Sequence, residues 1–160
     1  MEIDRRAPVV ESQTIAIPLP PREVWAVLTD LDSWPRWNPG VTRMERRGPV
    51  APGTEFLWVG GGTAIRSRFE DVDAPARVVW TGVTRGIAAV HAWEFRQSGD
   101  GTQVVTTESF AGWLPRLAPW LLRRVLSRTL AAGLLALKGE AERRAGYAAP
   151  SDVIRASSSV

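Results

Sequence analysis

Between residues 41 and 112 the chain is written as six runs rich in Val, Thr, Trp and Phe, at about 41–47, 54–59, 63–71, 77–84, 87–97 and 102–112. The breaks between them are "GPVAPG", "GGG", "VDAPA", "RG" and "SGDG". A parallel connection needs roughly a dozen residues or more, so loops this short can only join neighbouring antiparallel strands. The six runs are therefore confined to a meander of consecutive hairpins.

The flanks use a different period. Residues 14–18, "TIAIP", alternate briefly as a strand, and "PPREVWAVLTDL" then places Val24, Val27, Leu28 and Leu31 at helical spacing behind prolines suited to a first turn. "DSWPRWNPG" breaks this helix into a compact turn carrying Trp34 and Trp37. Beyond residue 112, "LPRLAPWLLRRVLSRTLAAGLLALKGEAERRAGY" predicts a long helix opened by Pro115 or Pro119. Leu122, Leu126, Leu130, Leu134 and Leu137 form one apolar stripe along it, with Arg123, Arg124, Arg128, Glu140 and Glu142 on the solvated flank. The concave face of the sheet is the largest partner for that stripe, which makes the fold class α+β. Gly133 costs this helix about 1 kcal/mol relative to Ala, so it signals close packing or, alternatively, room beneath for a ligand. Residues 1–11 read as an N-terminal extension, 12–147 as a single domain and 148–160 as a disordered tail.

Composition removes several chemistries. A chain of 160 residues supports one core, and the lack of Cys excludes disulfides and thiolate metal sites. The single His would leave any metal dependent on carboxylates, so neither metal nor other cofactor is expected. No signal-like core or membrane-length apolar run is present, which predicts a cytoplasmic protein without stable membrane insertion. The basic clusters Arg43, Arg46, Arg47 and Arg123, Arg124, Arg128 are interleaved with carboxylates over the chain and read as solvated faces rather than a nucleic-acid surface. "GGG" at 60–62 lacks the Lys-Ser/Thr ending of a phosphate loop and reads as a hairpin turn.

Register then locates the only histidine. Taking "SGDG" as a four-residue loop sets Gln97 opposite Thr102, and counting back pairs Phe95 with Val104, Trp93 with Thr106 and His91 with Glu108. Taking "RG" as a two-residue turn sets Thr84 opposite Ile87, Val78 opposite Trp93 and Trp80 opposite His91. Trp80, His91 and Glu108 should form a row on the face that also carries Phe69, Phe95 and Phe110, while Arg77, Glu94 and Arg96 occupy the other. A buried imidazole beside a buried carboxylate is costly unless each is satisfied. The pair is either a hydrogen bond that holds two strands in register or a polar anchor that orients a ligand or acts as acid and base.

The order of strand, helix, "DSWPRWNPGV", antiparallel meander, "GDGT", "ESFAG" and long final helix resembles the START-like superfamily, which includes polyketide cyclase/dehydrase-type and Bet v 1-like proteins. The similarity runs over about residues 12–145 through Val24-Trp25, Trp34, Trp37-Asn38-Pro39, Gly53, Gly99-Asp100-Gly101-Thr102, Glu108, Phe110 and Gly112. It implies a helix-grip fold, a curved sheet of about seven strands wrapped around the C-terminal helix and enclosing a hydrophobic cavity. The implied function is binding of a small hydrophobic molecule, a lipid, polyketide or other apolar metabolite.

Under that reading Trp37, Trp58, Phe69, Trp80, His91, Trp93, Thr106, Glu108, Phe110, Leu126 and Leu130 are the lining residues, with Trp113 at the cavity or its mouth and Trp25 and Trp34 in the core. The alternative is a cyclase or dehydratase with His91 as base, its proton affinity raised by Glu108, assisted by Thr106 or Ser67. Cavity hydroxyls are few, and the single Tyr147 lies near the C-terminus, which favours binding over catalysis. Trp113 and Trp120 flank a proline-bounded start to the last helix and read as packing residues, or as a gate. A third possibility, a protein- or membrane-docking module, requires Leu117, Trp120 and Leu121 to be exposed together.

Overall fold

The computed structural model describes residues 1–147, so the predicted disordered tail lies outside the described residues. Its strands are β1 (Val9–Ile17), β2 (Val41–Arg46), β3 (Glu55–Gly60), β4 (Thr63–Asp73), β5 (Arg77–Thr84), β6 (Ile87–Ser98) and β7 (Gly101–Ala111). They form one seven-stranded sheet in the order β1-β7-β6-β5-β4-β3-β2, antiparallel throughout. The meander from β2 to β7 is the one the short loops demanded. β1 adds to its last strand, so the chain crosses from one sheet edge to the other between β1 and β2.

Two differences from the sequence reading concern ends. β1 begins at Val9, inside the segment read as an extension, because Val9 continues the ladder opposite Phe110 and is wholly buried. The β6–β7 connection tightens to Gly99-Asp100, since Ser98 also pairs with Gly101, and the positive φ of +58° at Gly99 suits a residue without Cβ. Pairing also shifts within β4 between Phe69 and Asp71, and such a bulge bends its strand and adds twist.

Helix α1 (Pro21–Thr29) starts on a proline and buries Val24, Val27 and Leu28, as its periodicity required. A single 3-10 turn (Leu31–Ser33) and the short helix α2 (Trp34–Trp37) follow. Trp34 is buried and donates its indole N–H to the Leu28 carbonyl at 2.7 Å, which satisfies the polar atom of a core tryptophan. Trp25, expected in the core, is only half-buried and meets Phe95 edge to face at 5.6 Å.

The last helical region is broken. Helix α3 (Trp113–Leu117) precedes α4 (Pro119–Arg144), which takes Pro119 into its first turn while Pro115 stays in α3. Leu126, Leu130, Leu134 and Leu137 of α4 are buried and Leu122 is partly so, which accounts for the whole predicted stripe. Gly133 is not a close-packing site: a Cβ built there would meet nothing within 4 Å.

Glu140 is likewise not on the solvated flank. It is buried, and it accepts from Arg143 at 2.7 and 2.9 Å and from Arg144 at 2.7 Å. Arg144 in turn reaches Asp30 at 3.0 Å and Ser33 Oγ at 2.9 Å, so this network ties the end of α4 to the turn after α1.

Candidate functional site

The ladders reproduce the expected pairings residue by residue: Trp80 opposite His91, His91 opposite Glu108, Val78 opposite Trp93 and Trp93 opposite Thr106. The same row continues where the sequence reading stopped, because Glu108 faces Glu11 on β1 and Thr106 faces Gln13. Alternation along β1 puts Val9, Glu11, Gln13, Ile15 and Ile17 on one face, with Val9 and Ile17 fully buried. Helix α4 meets the two polar members of that face. Arg123 Nε lies 3.6 Å from Glu11, and Gln13 donates to Ser127 Oγ at 3.1 Å.

This polar band separates two apolar clusters. On one side Val9, Phe110, Leu122, Leu126 and Leu130 pack together. On the other stands the main core with Phe56, Phe69, Trp80, Trp93, Phe95, Leu134 and Leu137. His91 and Glu108 lie between, with 12% and 15% of their side chains exposed. The row is thus largely dry and still reachable from solvent.

His91 Nε2 is 2.7 Å from Thr106 Oγ1, a hydrogen bond, whereas its Nδ1 stands 3.5 Å from Glu108 Oε2, beyond good hydrogen-bond length. Burial pushes the imidazole down to about 3 and the Glu108 carboxyl up to about 8, because both charged forms lose water. At neutral pH the pair is accordingly a neutral imidazole beside a protonated carboxylic acid. Desolvation, rather than the attraction of a carboxylate, governs His91, so its proton affinity is lowered where the sequence reading expected it raised.

Aromatic rings hold the imidazole in place. Its centroid is 4.9 Å from that of Trp80 and 5.2 Å from that of Trp93, whose own rings stack at 6.4 Å. Trp93 is 5% exposed, and its indole N–H is the one buried side-chain polar atom without a hydrogen-bond partner among the described residues. Such an orphan donor costs about 1–3 kcal/mol and calls for an acceptor that the protein itself does not supply.

The remaining expected lining residues divide by position. Phe69 is next to Trp80 in the row, and Phe110, Leu126 and Leu130 make the neighbouring cluster. Trp37 and Trp58 sit farther along and satisfy their indoles on Ser33 Oγ at 2.9 Å and Ser67 Oγ at 3.1 Å. Ser67 is therefore engaged by Trp58 and remote from the His91 imidazole in the hydrogen-bond network. Trp34, Phe56, Trp58, Phe69 and Trp80 pack edge to face or tilted, so aromatic side chains occupy space that an open vessel would leave free.

Two surface depressions lie away from the row. One of about 400 Å³ is lined by Ile17, Pro18, Ser98, Thr102 and Lys138, and one of about 250 Å³ by Glu23, Val27, Ala141 and Arg144. Trp120 is exposed and is not the packing residue expected of it, whereas Trp113, though more than half exposed, lays its ring over Gly86 of the β5–β6 turn.

Sequence reasoning missed Glu11, Gln13, Arg123 and Ser127 as parts of the site. The signal was the alternation "VVESQTIAI", whose inward set contains Glu and Gln where an apolar face would be expected. Among the described residues no group of His, Asp and Glu is placed to hold a metal ion, and no helix is long and apolar enough to cross a membrane.

Comparison with known proteins agrees with this architecture. A hypothetical protein from Helicobacter pylori superposes with a TM-score of 0.76 at 17% identity, over 87% of this chain and 91% of its own. The Zhui aromatase/cyclase from a Streptomyces species gives 0.74 at 24% identity over 85% and 94% of the two chains. A START superfamily protein from Mycobacterium smegmatis gives 0.71 at 14% identity over 84% and 97%. At these identities the likeness is one of fold. No curated protein matches the sequence. The family model described as polyketide cyclase / dehydrase and lipid transport matches residues 9–142, which spans the sheet and nearly all of α4, and the chain belongs to that family.

Proposed function

We propose that the protein binds a small, largely apolar molecule carrying carbonyl or other acceptor oxygens, seated against the band of His91, Trp93 and Glu108 beneath α4. The observation that carries this reading is an excess of donors over acceptors. The Trp93 N–H has no partner, and the Glu108 carboxyl, protonated below about pH 8, makes no hydrogen bond among the described residues. An oxygen acceptor on the ligand would satisfy both, while Trp80, Phe110, Leu126 and Leu130 offer apolar surface to its body.

The test compares two tricyclic probes of similar shape, anthraquinone and anthracene, by titrating the tryptophan emission. Anthraquinone is expected to bind about tenfold more tightly, the difference of roughly one hydrogen bond, and Trp93→Phe and Glu108→Gln should each shrink that preference. Equal affinity for both probes, unchanged in the variants, would sink the reading. A native mass spectrum of freshly purified protein, repeated after denaturation, would reveal any ligand carried through purification.

A second reading, a cyclase or dehydratase, is favoured by one specific arrangement. A protonated Glu108 can give a proton to a developing enol or leaving hydroxyl, and a neutral His91 held by Thr106 can take one. Turnover of a polyketone would then decline above about pH 8 as Glu108 ionises. Binding without product at any pH decides against it.

A further inference from the structure

Exposed large hydrophobic side chains are concentrated in one short stretch: Trp113, Leu117, Trp120, Leu121 and Val125 all face solvent, Leu117 and Trp120 by 74% and 73%. The condition set by the sequence for a docking surface, joint exposure of Leu117, Trp120 and Leu121, is met. Trp113 is anchored rather than loose. Its ring lies over Gly86 of the β5–β6 turn, where an added Cβ would come within 2.7 Å of it, and Leu114 donates to the Gly86 carbonyl at 3.3 Å.

The charge that α3 and the first turns of α4 themselves contribute around this apolar surface is all positive. Arg116, Arg123, Arg124 and Arg128 are exposed around it, and from Glu108 to Glu140 the sequence contains no intervening Asp or Glu. Arg123 meets Glu11, whereas Arg116, Arg124 and Arg128 enter no ion pair among the described residues. On α4 the steps of four place Trp120, Arg124 and Arg128 in one row and Leu121 and Val125 in the next, so apolar and basic rows run side by side.

We propose that α3 and the first turns of α4 dock peripherally on an anionic phospholipid bilayer. Tryptophan rings favour the headgroup boundary, leucine side chains reach the acyl region, and arginines bury their stems while their guanidinium groups stay with the phosphates. A second copy of the chain fits less well, because a symmetric contact through this face would bring Arg116, Arg124 and Arg128 against one another, and the nearby Glu11 is already engaged by Arg123. The surface is distinct from the His91–Glu108 band, so it stands or falls independently of the ligand reading.

The experiment is co-sedimentation of the full chain with vesicles of phosphatidylcholine alone and of phosphatidylcholine with phosphatidylserine, at low and raised salt. Binding is expected to the serine-containing vesicles, to weaken with salt, and to fall roughly five-fold for each of Arg124→Glu and Arg128→Glu. Leu117→Glu combined with Trp120→Glu should abolish it without altering the thermal midpoint, since both side chains are exposed. The proposal is overturned if the wild-type chain does not sediment or the variants bind equally well. It is also overturned if ultracentrifugation shows a dimer that Trp120→Glu dissolves, or if binding appears only after the chain is cut behind Tyr147.

Discussion

Glu11 and Glu108 stand directly opposite each other across the β1–β7 ladder, yet they meet different partners: Arg123 lies 3.6 Å from Glu11, and Glu108 faces a neutral imidazole. Two carboxyl groups on neighbouring strands are tolerable here because one has a cation and the other holds its proton up to about pH 8.

This arrangement sets a pH profile for stability. Glu108 ionises near 8 when folded against an ordinary 4.5, so between those values the folded state keeps the extra proton and stability falls as pH rises. His91 protonates near 3 when folded against an ordinary 6.5, so its contribution is lost as pH falls through that interval. The slopes offset each other between 4.5 and 6.5, and a plateau is expected there. Glu140, held at about 2 by hydrogen bonds from Arg143 and Arg144, steepens the acid side below 4.5. Urea midpoints across the range should show the plateau. In Glu108→Gln the decline above pH 6.5, at most about 1.4 kcal/mol per unit, should disappear.

Thr106→Val removes the hydroxyl that meets His91 Nε2 and keeps the side-chain shape. Because Thr106 is fully buried, the imidazole nitrogen is left without that partner, and a loss of about 1–3 kcal/mol is expected in denaturant unfolding. A neutral result would mean that His91 finds solvent or another partner instead.

Gly133→Ala should raise stability by about 0.5–1 kcal/mol, since it adds helix propensity in mid-α4 and the new methyl meets no atom within 4 Å. The thermal midpoint reads this directly. Destabilisation would show that the space over Gly133 closes in solution.

Glu140→Gln leaves Arg143 and Arg144 without their carboxylate and should cost roughly 1–3 kcal/mol, with the His91–Glu108 band untouched. The check is a lowered urea midpoint together with an unchanged anthraquinone titration.

Much of this was legible because strand pairing is arithmetic. Once "RG" and "SGDG" were taken as tight turns, the position of His91 between Trp80 and Glu108 followed from a period of two, and the ladders agree at every predicted pair. β1 was harder. Glu11 and Gln13 occupy inward positions, so the alternation that marks a strand by hydrophobicity fails at the residues that complete the polar band. The protonation states were also beyond the sequence, since they follow from how completely the rows around His91 and Glu108 exclude water. Glu140 was misplaced because its partner Arg144 is also held by Asp30, a contact made only through the packing of α4 against the turn after α1.

The two ends of α4 differ in how they are held. Its C-terminal half is pinned by the Glu140–Arg144–Asp30 ties and by Leu134, Leu137 and Ala141 in the main core. Its N-terminal half rests on the small Val9, Phe110, Leu126 and Leu130 cluster and on the contacts of Arg123 with Glu11 and of Ser127 with Gln13. Fewer buried side chains hold the N-terminal half, so its backbone amides are expected to exchange hydrogen before those of the C-terminal half.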